Sequence, residues 1–151
     1  MRHGPDIARM AALIGDPARA NILGALMGGM ALTSSELALE AGITPQTVAS
    51  HLAKLADSGL VKARPQGRHR YWDLADDEVA RLLEGIMGLA GHLGATRTRP
   101  GPRDPQLRKA RICYDHLAGE FGVKLHDAAI SVGALRVGQN GLLPGEKADA
   151  F

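Results

Sequence analysis

The segment between residues 44 and 72 contains polar and cationic side chains that could bind an extended anion. It has five Lys or Arg residues and a single acidic residue, in a chain whose formal net charge is only +2. A local concentration of cations in a nearly neutral chain is typical of a surface that faces phosphate groups. The pattern indicates a nucleic-acid partner, although an ordinary solvated face could have the same composition outside a recognisable motif.

Two helices joined by a tight turn are predicted to position these side chains. Residues 33–36 (Thr-Ser-Ser-Glu) form a capping-box pattern, which predicts a short helix over residues 35–41. Gly42 begins the turn, and Thr44-Pro45 is a cap followed by a first-turn proline, so a second helix is predicted from Pro45 to about Ser58. A short helix, a glycine turn and a second helix make a helix-turn-helix, whose second helix enters the major groove of DNA.

The second helix and a hairpin after it carry the predicted DNA contacts. Strands are expected over residues 61–64 and 68–74, with a turn at residues 65–67 (Pro-Gln-Gly). Hydroxyl groups can donate to phosphates or bases, glutamine can pair with adenine, and arginines can lie along a phosphate backbone or in the minor groove. The predicted DNA-binding residues are Thr44, Gln46, Thr47, Ser50, His51, Lys54, Arg64, Gln66, Arg68, Arg70 and Tyr71.

Helices are also predicted on both sides of this motif. Two of them cover residues 7–14 and 17–27, and another runs from Asp76 to about Leu93 behind an acidic start. This last helix has a glycine at every third position from 85 to 94, which would let another helix pack closely. Aromatic residues make up only 3% of the chain, so a core of aliphatic side chains on helices is favoured.

The remaining third of the chain has a different character. Residues 96–104 have the composition of a linker, and helices are predicted over residues 105–119 and 121–132. Asn140-Gly141 lies between short apolar runs and signals a hairpin. The predicted fold is mostly α with a small β-hairpin wing: a winged helix-turn-helix DNA-binding and dimerisation domain over residues 1–95, a linker, and a helical C-terminal extension over residues 105–151 that resembles an incomplete module.

Residues 16–74 resemble the ArsR family of bacterial winged-helix repressors. The matching stretches are DPARANILGAL from residue 16, TSSELALEAGITPQTVASHLAKLADSGLV from residue 33 and QGRHRYWDL from residue 66. The resemblance implies a transcriptional regulator that binds a palindromic operator on double-stranded DNA. It also implies a homodimer joined by the first helix and the helix of residues 76–93, and release from DNA by an effector.

The effector sites that this resemblance implies are missing at their usual positions. Residues 36–41 contain no cysteine pair, the helix after the hairpin offers only His92, and the chain has a single cysteine, Cys113. Cys113 and His116 would lie three apart on a predicted helix, and His126 could complete a metal site, or Cys113 could respond to oxidants. The alternative is a buried thiol beside packing histidines, and no metal or cofactor is predicted.

Other classes of function are less consistent with the sequence. A winged helix used only for protein docking would be expected to lack the cationic tip that Arg64, Arg68 and Arg70 provide. An enzyme is not indicated, because no phosphate loop, nucleophile elbow, HExxH motif or paired-carboxylate cleft is found. One cysteine permits no internal disulfide and no apolar run could cross a bilayer, which predicts a cytoplasmic protein without a membrane partner.

Overall fold

The computed structural model describes residues 4–95, 106, 109–113, 116–139 and 141–150. The chain divides into two compact units, residues 1–100 and residues 101–151. The first unit contains α1 (Ile7–Gly15), α2 (Pro17–Leu26), β1 (Leu32–Thr33), α3 (Ser34–Ala41), α4 (Pro45–Asp57), β2 (Val61–Gln66), β3 (His69–Leu74) and α5 (Asp77–His92). The predicted helices and hairpin of the winged helix-turn-helix are confirmed, and β1 is an addition that the sequence did not predict.

Side-chain caps begin the helices of the helix-turn-helix. Thr33 accepts a hydrogen bond from the backbone N–H of Glu36, and the Glu36 carboxylate accepts the backbone N–H of Thr33 at 2.7 Å. Thr44 caps α4 in the same way, with Pro45 at the first helical position. Gly42 ends α3 with φ of 70°, a left-handed conformation that residues with a Cβ adopt at a cost. The turn between α3 and α4 is therefore fixed by local chemistry at both ends.

The core of the first unit lies between α2, α3, α4 and the hairpin. Val48, Leu52 and Leu55 on α4 are completely buried, and so are Ile22 and Leu23 on α2. The hairpin adds three buried side chains, Val61, Trp72 and Leu74, to this core. The indole Nε1 of Trp72 donates to Ser34 Oγ at 3.2 Å, which anchors the hairpin to the start of α3. Apolar burial on this scale holds α4 rigidly by its inner face.

The three strands of the first unit form one antiparallel sheet in the order β1-β3-β2. Gln66 pairs with His69, so the hairpin loop consists of Gly67 and Arg68. The predicted turn over residues 65–67 is wrong for Pro65 and Gln66, which lie in β2. The reason is that a two-residue loop needs a positive φ at its first position, where Gly67 has φ of 61°. Pro65 is accommodated in β2 because β2 is an edge strand, where a missing N–H donor is tolerated.

The second unit contains β4 (Arg111–Cys113), β5 (His116–Ala118), α6 (Glu120–Ser131), β6 (Leu135–Gly138) and β7 (Gly141–Pro144), followed by a 3₁₀ turn (Ala148–Ala150). The predicted helix over residues 121–132 and the hairpin after it are confirmed. The prediction of helix over residues 105–119 is wrong for residues 111–113 and 116–118, which pair as two antiparallel strands. Residues 105, 107–108 and 114–115 of that prediction, and the predicted linker of residues 96–104, lie outside the described residues. A short apolar run does not separate helix from strand by periodicity alone, and here pairing between the two strands decides.

Protonation of the α3 cap is expected to weaken the fold in acid. Hydrogen bonds from the backbone and hydroxyl of Thr33 hold the pKa of Glu36 below its ordinary 4.5. A lowered folded-state pKa adds stability above the unfolded value, and that stability is lost as pH falls through the folded value. In urea titrations from pH 6 to pH 3, we therefore expect wild type to lose more stability than Glu36→Gln.

The matched control for this experiment is Glu40→Gln, a substitution of the same kind on the same helix. It should follow the wild-type curve through the acidic range. At pH 6 we expect Thr33→Ala, which removes the acceptor for Glu36 N–H, to cost about 1 kcal/mol of unfolding free energy. Identical acid curves for Glu36→Gln and wild type would contradict the role of the carboxylate.

Candidate nucleic-acid interface

The outer face of α4 presents polar side chains to solvent. Gln46, Ser50 and Lys54 follow one another at intervals of four residues and are all exposed, and Thr47 lies beside them. Side chains four apart lie on one face of a helix, opposite the buried Val48, Leu52 and Leu55. The helix therefore has an anchored apolar side and a free polar side, as a helix that reads a groove requires.

Two threonine hydroxyls meet at the start of α4. Thr44 Oγ1 accepts the backbone N–H of Thr47 at 3.2 Å, and the two side-chain oxygens are 2.8 Å apart. One hydroxyl hydrogen joins the two oxygens, which leaves the other free to donate outward. The positive end of the helix dipole at the same place favours an anion. This corner of the helix is thus suited to a phosphate oxygen.

His51 is placed differently from the other predicted contacts on α4. Its ring is only partly exposed, and Nδ1 is buried without a hydrogen bond among the described residues. His51 also contributes to lowering the pKa of Asp16, the N-cap of α2, after the larger effect of the backbone N–H of Arg19. His51 is therefore less accessible than Gln46, Ser50 and Lys54, which are exposed on the outer face of α4.

The predicted wing residues divide between the two faces of the hairpin. Strand alternation and the pairing register put Arg64, Gln66 and Tyr71 on one face. Arg70 lies on the other face, in line with the buried Trp72 but further toward the tip, where it is exposed. Arg68 is in the loop itself and is also exposed. Arg68 and Arg70 therefore both lie near the tip of the hairpin, but they do not share one of its faces.

Two of the wing cations already have partners within the hairpin. The Arg64 guanidinium forms an ion pair with Asp73, although 60% of the Arg64 side chain is exposed. Lys62, which the sequence reasoning did not select, donates from Nζ to the carbonyl oxygen of Ala75 at 2.7 Å. These contacts occupy Arg64 and Lys62 at the base of the wing, whereas no ion pair involves Arg68 or Arg70 in the described part of the chain.

His69 is a wing residue that the sequence reasoning did not select. It is exposed, pairs across the strands with Gln66, and lies edge-on to the ring of Tyr71 with centroids 6.4 Å apart. The sequence could have indicated this residue, because every second residue of a strand lies on the same face, and residues 69, 71 and 73 of β3 therefore share one. The half-buried Tyr71 is thereby shielded on one side by the imidazole.

The weak effector candidates lie in the second unit. Cys113 and His116 are directly opposed in the pairing of β4 with β5, so the expectation that they lie three apart on one helix is wrong. His126 is on α6 and its Nδ1 is 3.0 Å from the Asp127 carboxylate. Within the described residues, no three His, Cys, Asp or Glu side chains could hold a metal ion together. No helix in the same residues is long and apolar enough to span a membrane.

A helix-turn-helix with an anchored reading helix and an arginine-tipped hairpin defines a winged-helix DNA-binding domain, and comparisons with known proteins agree. A family model described as a helix-turn-helix domain matches residues 14–64. The chain is 38% identical over 132 residues to an uncharacterised HTH-type transcriptional regulator, YdfF, of Bacillus subtilis, covering 87% of this chain and 58% of that protein. A probable mercury resistance operon repressor of Streptomyces lividans is 35% identical over 81 residues, which are 54% of this chain and 64% of that one.

Among solved structures, the homodimeric winged helix-turn-helix DNA-binding domain of a possible ArsR-family regulator from Mycobacterium bovis superposes with a TM-score of 0.53. It is 26% identical, and the match covers 66% of this chain and all of that fragment. Over the region that they share, the chain is similar to ArsR-type winged helix-turn-helix transcriptional regulators. It spans less than two thirds of the length of the two curated relatives described above.

Proposed function

We propose that the chain is a transcriptional repressor that binds a palindromic operator as a homodimer and leaves DNA when an effector binds. The observation that carries the proposal is the exposed polar face of α4, with Gln46, Thr47, Ser50 and Lys54, in one unit with the exposed wing-tip arginines. Gln46 is proposed to read a base edge, and Arg68 and Arg70 to contact phosphates or the minor groove. The name of the Streptomyces lividans relative supports a repressor role.

Homodimerisation is proposed to use α1 and α5. Ile7 on α1 is 78% exposed in the single chain. Five large apolar side chains on α5 and at its C-cap are 43–69% exposed: Leu82, Ile86, Met87, Leu89 and Leu93. A Cβ built on Gly85, Gly88 or Gly91 meets no atom within 4 Å, so space for a second backbone is open there. Contiguous exposed apolar surface of this kind marks an interface. The homodimeric state of the Mycobacterium bovis domain supports dimerisation.

The arrangement in a pair explains why a palindrome is expected. A two-fold axis between the α5 helices would present two copies of α4 to equivalent half-sites, about one helical turn of DNA apart. A cytoplasmic location is proposed together with the DNA partner. The effector stays unidentified, and an alternative in which Cys113, with His116 and His126, senses a metal or an oxidant is kept as a variant of the same proposal.

In vitro selection from random duplexes, followed by fluorescence anisotropy, tests the function. We expect a palindromic consensus bound with a Kd on the order of 10 nM at physiological salt, weakening steeply as salt is raised. Gln46→Ala should relax the preference at one base pair of each half-site by about 1–3 kcal/mol, while Asp57→Ala, at the far end of α4, should not. No binding even at low salt would overturn the proposal and favour a protein-docking winged helix.

If operator binding is found, the same assay identifies the effector. Divalent metals and peroxide are added to the complex, and release is compared between wild type and Cys113→Ser. Release that disappears with Cys113→Ser would support the sensing alternative, and unchanged release would contradict it.

A further inference from the structure

In the second unit, α6 and the β6–β7 hairpin repeat the arrangement of α4 and the β2–β3 hairpin, the wing of the first unit. Gly59 after α4 and Gly133 after α6 have φ of 73° and 81°. The N–H of each glycine donates to the carbonyl oxygen three residues earlier, at 3.0 Å in both cases. The next residue, Leu60 or Ala134, donates to the carbonyl oxygen five residues earlier, at 2.9 Å in both cases. The two helices therefore end in the same hydrogen-bonded motif.

The hairpins that follow close in the same way. The N–H of Ala75, after β3, donates to Leu60 O at 3.1 Å, and the N–H of Gly145, after β7, donates to Ala134 O at 2.8 Å. Both hairpins have a two-residue loop, between Gln66 and His69 in the first unit and between Gly138 and Gly141 in the second. The second unit is thus a helix-and-wing half of the same architecture, with shorter strands.

The two units differ in how far the apolar side chains of the helix are covered, α4 in the first unit and α6 in the second. In the first unit, α2 and α3 pack on α4 and its apolar side chains are buried. In the second unit, Ala134 is the one buried apolar residue among those described, and Phe121 and Leu125 on α6 are more than half exposed. Burying so little apolar surface cannot offset the conformational entropy that is lost when the described residues of the second unit are ordered. A further surface must cover this face.

Two open grooves flank α6 and meet at Leu125. Their volumes are about 420 and 460 Å³, and almost all of the atoms that line them are carbon. The first groove is lined by Leu117 and Phe121, and the second by Leu142 and Leu143. Apart from Lys124, the side chains that line the two grooves are apolar. Such a lining does not suit a nucleic-acid backbone or a polar metabolite, which would lose their hydrogen bonds to water. Apolar protein surface is the occupant that fits.

We propose that the second unit of another copy of this chain covers these grooves, so that the two helix-and-wing halves complete each other's core. Five side chains of the grooves are 41–58% exposed: Leu117, Phe121, Leu125, Leu142 and Leu143. Together they offer roughly 500 Å², so symmetric pairing removes about 1,000 Å², the lower bound for a specific interface. An area this small suits units that are already held together rather than free partners.

The proposed homodimer supplies that tether, and in this respect the inference rests on the proposed function. When the first units pair, the covalent connection between each first unit and its second unit limits how far apart the two second units can be. Short flexible linkers give effective concentrations in the millimolar range. At that concentration a modest apolar interface is populated, and any other partner must compete with a copy that is always present.

The test uses the full-length chain in an equal mixture of ¹⁴N- and ¹⁵N-labelled protein treated with a lysine cross-linker. Lys124 and Lys147 belong to the second unit and both are exposed. We expect mixed-isotope cross-links that join Lys124 or Lys147 of one copy to the same residues of another. Cross-links of Lys124 and Lys147 within single-isotope chains alone would overturn the proposal.

Hydrogen exchange of α6 in the same chain provides the second measurement. We expect α6 amides to exchange about tenfold faster in Leu125→Asp than in wild type, while the control Asp127→Asn on the same helix stays at the wild-type rate. Sedimentation and operator binding by Leu125→Asp should be unchanged, because the first units still pair. Leu89→Asp, designed to separate the first units, should also accelerate exchange in α6.

The outcomes separate this inference from the proposed function. If Leu89→Asp is monomeric and α6 stays protected, the grooves are covered within one chain and the pairing is wrong. If α6 is unprotected in the wild-type dimer, no second copy covers it and the pairing is again wrong. If Leu89→Asp stays dimeric but mixed-isotope cross-links form, the proposed α5 interface fails while the pairing of second units stands.

Discussion

Replacing Arg68 and Arg70 with alanine is expected to weaken operator binding on the order of 100-fold at physiological salt. Each guanidinium at the wing tip is exposed, and neither has an ion-pair partner among the described residues, so both charges are available to phosphate groups. A charge-assisted hydrogen bond contributes about 1.5 kcal/mol or more. Because the two free energies add, the two fold-changes in affinity multiply. The slope of log K against log salt should fall by about two in magnitude, since each phosphate contact releases about one counterion.

Two single substitutions serve as controls for this result. Arg64→Ala removes a wing arginine whose guanidinium is paired with Asp73, so we expect a smaller loss of affinity and little change in salt slope. Arg81→Ala removes an exposed arginine from α5, outside the motif, and should leave binding at the wild-type level. A loss of affinity for Arg64→Ala as large as that for the double variant would show that the ion pair between Arg64 and Asp73 breaks when DNA binds. Unchanged binding by the double variant would exclude the wing tip from the interface.

Leu89→Asp is expected to convert the dimer into a monomer and to reduce operator affinity by about a thousandfold. Leu89 is 59% exposed on the apolar side of α5, and in the proposed dimer a carboxylate there would be desolvated without a cationic partner. A monomer can contact only one half-site at a time, and the loss of linkage between two half-sites costs about 10² to 10⁴ in affinity. Sedimentation velocity measures the first effect, and anisotropy the second.

Arg81→Asp introduces the same side chain into the same helix, but on its polar side. It should remain dimeric and bind the operator within a few-fold of wild type. A single half-site duplex helps to interpret the result, because wild type and Leu89→Asp should bind it with similar affinity if the reading helix is intact. A dimeric Leu89→Asp would place the interface elsewhere on the chain.

Local chemistry in the sequence was sufficient to predict most elements of the first unit. The caps at Thr33 and Thr44, the turn at Gly42 and the helical spacing of Val48, Leu52 and Leu55 act over a few residues, so they are visible without tertiary structure. The same holds for the polar side of α4, because the face opposite a buried stripe must be exposed. Family resemblance added the dimer and the operator as expectations, which the sequence patterns alone would not supply.

Contacts between distant residues decided the rest. The pairing register placed Arg64 and Asp73 on one face of the wing, where they form an ion pair, and put Arg70 on the other face. Packing of the first unit left His51 only partly exposed, with its Nδ1 buried. In residues 111–113 and 116–118, strand pairing replaced the helix that the sequence predicted. Sequence alone therefore determined which segments form the winged helix and which side chains could meet DNA. Only the tertiary structure decided which of those side chains are free to do so, because hydrogen bonds, ion pairs and burial depend on residues that are far apart in the chain.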